Sequence, residues 1–153
     1  MSAELIKFSI TPGWDYIRPI REFIGEFVYV KSGNRERADD VLFIANELIE
    51  NAVKNANNKK ILISCKVYDA VTEITVSNSI QRDKYDMLKE KLFDVCKKRA
   101  EQLYGEKFRE KSFWEDEKGA IGLIMINERC EGKITIQYKN LSVVITCIIP
   151  YEE

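Results

Sequence analysis

Leu5 to Ile10 alternates apolar and polar residues and predicts a short strand, which Thr11-Pro12-Gly13 turns away. A helix is predicted from about Pro19 to about Lys31. Pro19 suits its first turn, and Ile20, Phe23, Ile24 and Phe27 follow the spacing of a buried stripe. Ser32-Gly33-Asn34 ends it, and a second helix is predicted from about Glu36 to Asn57. Ile61 to Tyr68 and Val71 to Ser79 are rich in β-branched residues and flank Asp69-Ala70, which predicts a hairpin. Lys133 to Tyr138 and Ser142 to Ile149 predict another hairpin about Lys139-Asn140-Leu141. Two hairpins, an extra strand and several helices on one face make an α+β chain, a two-layer sandwich.

The second helix has two contrasting faces. Val41, Leu42, Ala45, Leu48, Ile49, Ala52, Val53 and Ala56 fall on one side. Glu47, Asn51, Lys54 and Asn58 fall opposite, in a stripe on the order of 60° wide. An amide oxygen can ligate a hard cation, a carboxylate can orient or deprotonate a nucleophile, and a lysine can meet phosphate charge. An ordinary solvated helix face carries the same residue types, and the stripe alone does not separate the two readings.

The pattern Glu47-x-x-x-Asn51-Ala52-Val53-Lys54 resembles the N-box of the GHKL ATPase superfamily. More narrowly, it resembles the anti-sigma-factor serine kinases of bacterial partner-switching systems. Ile17-Arg18-Pro19-Ile20-Arg21-Glu22-Phe23-Ile24 is similar to the first helix of those kinases. Gly119-Ala120-Ile121-Gly122-Leu123-Ile124 is similar to a worn form of their glycine-rich box. The order of elements agrees from about Phe8 to Pro150.

The resemblance implies one domain over 1–153, with a mixed sheet in the Bergerat manner and a helical, lid-like insertion at about 81–118. It implies ATP with Mg²⁺ as ligands. Asn51 would hold the metal, Glu47 would activate a serine hydroxyl or water, and Lys54 would neutralise phosphate charge. Gly119 and Gly122 would cradle phosphate beside a helix start. The family places an aspartate at the adenine amino group, where this chain has Asn78. An asparagine keeps an acceptor but loses the charge, which is expected to weaken adenine binding by about 1–3 kcal/mol. Ser79, Ile80 and Ala120 depart from glycines of the family pattern. The expected function is therefore a regulator acting by protein contact, with reduced nucleotide affinity. The alternative is an active serine kinase or ATPase. Implied partners are an anti-anti-sigma-like domain, a sigma factor or a phosphatase, and a homodimer is also open.

Composition narrows the chemistry further. The net charge of −1 gives no general attraction to nucleic acid or anionic membrane. No apolar run is long enough for a membrane span, and no secretion signal is read at the start, so a cytoplasmic protein is expected. The four cysteines form no closely spaced pair, against a zinc site. The absence of histidine excludes Ser-His-Asp catalysis, imidazole ligation and phosphohistidine transfer. Between Gln81 and Lys118, Tyr85, Leu88, Leu92, Val95, Cys96, Leu103 and Phe108 recur at mostly helical spacing. A helix is expected from about Asp83 to Leu103, its stripe either buried on its own domain or offered to a partner.

Overall fold

The computed structural model describes residues 3–57, 59–90 and 134–150. Strand β1 (Glu4–Ile10) leads through a short turn of 3₁₀ helix at Trp14–Tyr16 into α1 (Ile17–Ser32) and then α2 (Arg35–Asn55). Strands β2 (Ile61–Val67) and β3 (Val71–Ser79) form the first hairpin, and residues 82–90 are helical. Strands β4 (Ile134–Lys139) and β5 (Ser142–Pro150) form the second. The five strands pair in the order β1-β2-β3-β5-β4.

All four strand pairs are antiparallel, so the sheet is not the mixed one expected from the sequence. The helical connection explains the first pair. Arg21 meets Asn46 and Gly25 meets Leu42, so α1 and α2 run antiparallel. An even number of helices returns the chain to the end of the sheet it left. Ile61 therefore starts β2 opposite Ile10, the last residue of β1. A single crossover helix would have produced a parallel pair.

Local chemistry sets the helix ends. Gly33 closes α1 at φ 66°, a left-handed conformation that a side chain would oppose, and its N–H reaches the Tyr29 carbonyl. Asn34 then caps α2, its side chain accepting a hydrogen bond from the Arg37 N–H at 3.2 Å. Asn34→Ala is expected to lower stability by about 1 kcal/mol, readable as a lower urea midpoint at unchanged slope. A Cβ at Gly25 would lie 2.9 Å from the Leu42 Cδ1, so glycine permits the close approach of the two helices.

The core lies between the helix pair and one sheet face. Ile24, Val28, Val41, Ile44, Leu48 and Ile49 supply the helical side. They meet alternate strand residues such as Ile63, Cys65, Ile74, Val76, Val143 and Cys147. That alternation follows the two-residue period of a strand. Phe23 departs from the expected buried stripe and is 54% exposed. The stripe instead runs Ile17, Ile20, Ile24, Val28, and Phe23 stands at its flank with an edge-on contact to Phe8. The opposite sheet face carries Leu62 and a group of hydroxyls, among them Ser64, Thr75 and Ser77 around a depression of about 440 Å³.

In the expected helix after β3, the described part packs inward. Tyr85 is buried and lies 4.8 Å from the ring of Tyr138 on β4, while Leu88 packs against the core. Leu92, Val95, Cys96, Leu103 and Phe108 lie outside the described residues. Burial pushes the Cys65 thiol up to about 12, which makes it an inert core side chain.

Candidate functional site

The site is built on the flank of α2. Glu47 and Asn51 are half-buried and Lys54 is exposed, while Asn58 lies outside the described residues. Helical geometry puts the stripe on the order of 120° from the centre of the buried face. It is thus a flank bordering the core rather than a fully solvated back. The other flank is occupied by α1. Arg21 Nη1 donates to Asn46 Oδ1 at 2.7 Å, and Asn46 Nδ2 donates to Glu50 Oε1 at 3.1 Å. Asn46 therefore ties the two helices together and Glu50 holds its amide from one turn further along α2, a role the sequence reading missed. An Asn and a Glu four residues apart on a polar helix are its only sequence signal.

Glu47 is electrostatically uncomfortable when ionised. Its carboxyl is held above the ordinary 4.5, first by burial and then by the Glu50 carboxylate, with Lys54 pulling the other way. A raised carboxyl pKa means that the folded protein holds the proton more tightly than the unfolded chain. The stabilising contribution is complete below the ordinary value and is lost as pH rises through the raised value. Glu47→Gln is therefore expected to raise the melting temperature near pH 7 relative to wild type, with the gain vanishing near pH 4. A gain of equal size at both pH values would remove the electrostatic account. A half-desolvated carboxylate is also what a general base requires.

Asn51 stands one turn beyond Glu47. Its main-chain carbonyl accepts from Asn55 Nδ2 at 2.8 Å, whereas its side-chain amide has no hydrogen-bond partner among the described residues. One free amide oxygen suits a hard cation that fills its other positions with water and phosphate oxygens. The described residues contain no group of three or more His, Cys, Asp or Glu placed for a metal.

Chain topology brings Asn78 to the same end of the sandwich. The link from Asn55 to Ile61 is short, and Leu62 pairs with Ser77, so the end of β3 lies beside the C-terminal end of α2. Asn78 points to the helix-covered face and is 4% exposed. Its Nδ2 donates to the Ser79 carbonyl at 3.2 Å.

The second hairpin locks this strand end. The Leu141 carbonyl accepts from the Ile80 N–H at 3.1 Å and from Ser79 Oγ at 3.4 Å. The Tyr138 hydroxyl donates to the Ile80 carbonyl at 3.4 Å, and the Arg82 guanidinium lies 5.1 Å from the Tyr138 ring centre. The turn that presents the Leu141 carbonyl is tight, with Asn140 at φ 52° and Leu141 at φ 60°. Two residues at positive φ between antiparallel strands match a type I′ turn. Sequence reading placed the turn but not its contacts, because a leucine at positive φ has no sequence signal. Gly119 and Gly122, the expected phosphate cradle, lie outside the described residues.

No protein-family model matches this sequence, and no curated protein does. A solved structure with a similar fold is a chain of the SiaB–SiaC complex from Pseudomonas aeruginosa. The TM-score is 0.73 at 15% identity, over 94% of this chain and 88% of that one. At that identity the likeness is one of fold. Among the described residues, no helix is long and apolar enough to cross a membrane.

Proposed function

We propose that this protein is a GHKL-like regulator that works by contact with a partner protein and binds Mg-ATP with reduced affinity. The observation that carries the reading is Asn78. It occupies the place where the resemblance expects an adenine-binding aspartate, is buried, and already spends one N–H on its own strand. Loss of a charged acceptor weakens the base contact, while Glu47 and Asn51 keep the form of a metal-phosphate site. The similar fold in a structure named for a two-protein complex supports a life in partnership. By resemblance, the partner is an anti-anti-sigma-like domain, a sigma factor or a phosphatase, in the cytoplasm.

A second reading is favoured by Glu47. Its raised carboxyl, one turn from Asn51, supports a role as the base of a serine kinase or ATPase. Calorimetric titration with Mg-ATP and Mg-ADP, followed by a phosphate-release assay, separates the two. The regulator binds nucleotide weakly and releases no phosphate. Tight Mg-ATP binding with sustained turnover would overturn the regulator in favour of the enzyme.

A further inference from the structure

We propose that the outer edge of β1 and the flank of α1 beside it dock an extended segment of a partner protein. That segment carries apolar side chains at alternate positions and an acidic side chain near its middle. The inference rests on the partner-contact reading above and names where the contact is made.

β1 ends the sheet, with β2 on one side and no strand on the other. In an antiparallel pair every second residue turns its N–H and C=O away from the neighbouring strand. On that outer side, no main-chain group among the described residues meets those of β1. A row of alternating donors and acceptors is matched by one more strand.

Apolar side chains border the same edge. Phe23, Phe27 and Val30 form a stripe on α1, roughly 140–160° round the helix from Gly25, which faces α2. Phe23 and Val30 are exposed. The Phe23 ring meets Phe8 edge-on at 5.7 Å, which sets this flank above β1. Lys31 lies 3.8 Å from Asp69 beyond β2, and Glu4 pairs with Val67, so the stripe runs along β1 toward Glu4. Ile6, Phe8 and Ile10 turn to the helix side and are only half-buried. Alternate side chains of an added strand would cover Phe23, Phe27 and Val30. The other edge strand, β4, offers less. Its Tyr138 ring is already taken by Tyr85, and its exposed positions Thr135, Gln137 and Lys139 are polar.

Charge names the occupant. Lys7 is exposed at the centre of β1, on the rim of the depression lined by Ser9, Ser64 and Thr75. No carboxylate lines that depression, and Lys7 has no ion pair among the described residues. An acidic side chain opposite Lys7 on the added strand supplies the missing charge. The same lysine counts against a second copy of this chain. Two β1 strands paired antiparallel along all seven residues would set Lys7 against Lys7.

The test uses the full chain and two end-blocked synthetic peptides in which valine and threonine alternate. One carries glutamate and the other lysine in place of the central threonine. Binding is followed by NMR, with amide hydrogen exchange read along β1. The glutamate peptide is expected to bind with a Kd below about 1 mM and to slow exchange of alternate β1 amides. The lysine peptide should bind at least about threefold more weakly, and Lys7→Glu should reverse that order. Val30→Asp, at an exposed position, should weaken both peptides by at least about fivefold. An unchanged peptide order in Lys7→Glu, or full affinity in Val30→Asp, would overturn the inference. So would outward β1 amides already protected in the free chain, since the edge would then be covered. Wild type that sediments as a dimer, which Val30→Asp dissociates, would make a second copy the occupant and overturn it too. Failure of both peptides to bind would remove the docking edge alone. The regulator reading is decided separately, by the Mg-ATP titration and phosphate-release assay.

Discussion

Leu48→Ala is expected to lower folding stability by about 2–5 kcal/mol, the range for truncating a buried leucine. Leu48 is 1% exposed and lies on the face of α2 turned to the sheet. Removing its branch takes away apolar contact and leaves a cavity between a helix and a sheet, neither of which can easily close it. Single globular domains are typically stable by about 5–15 kcal/mol. The loss is therefore a large share of the whole. A urea titration should show a much lower midpoint with an unchanged slope. Val30→Ala, at an 81% exposed position on α1, should stay within about 0.5 kcal/mol. A loss below about 1 kcal/mol for Leu48→Ala would mean that α2 does not bury this face.

That face was readable in advance because helical periodicity is local. Val41, Ala45, Leu48 and Ala52 recur as the buried residues of a helix predicted at Glu36 to Asn57 and observed over Arg35–Asn55. Both hairpins were readable for the same reason, from β-branched runs around short turns. The sheet's joining was not. β3 pairs with β5 across residues 71–79 and 142–150, and no local pattern records which strands meet at such separation. Phe23 was misplaced because a stripe read by spacing has a width, and a residue at its border can face either way. For the candidate site, Glu47 and Asn51 were legible as a pair on one face. Their half-burial was not, since it depends on where α1 and the sheet sit around α2. The frame around Asn78 was least legible. It hangs on the Leu141 carbonyl and the Tyr138 hydroxyl, both from a hairpin about 60 residues away in sequence.

Asn51→Ala is expected to weaken Mg-ATP binding by at least about tenfold, equal to about 1.4 kcal/mol. The expectation follows from metal chemistry rather than packing. A hard cation needs an oxygen donor, and a methyl group supplies none. Folding should not confound the result. Alanine is the stronger helix former, and the Asn55 side chain bonds the main-chain carbonyl of residue 51, which the substitution leaves in place. Omitting magnesium isolates the role. With a chelator present, wild type and variant should bind ATP equally, because the oxygen at issue contacts the ion and not the nucleotide. A deficit that persists without magnesium would make Asn51 a direct phosphate or base contact. Unchanged affinity with magnesium present would leave Asn51 a half-buried surface residue. Glu47 would then have no metal-phosphate assembly to serve, and contact with a partner would be the whole of the function.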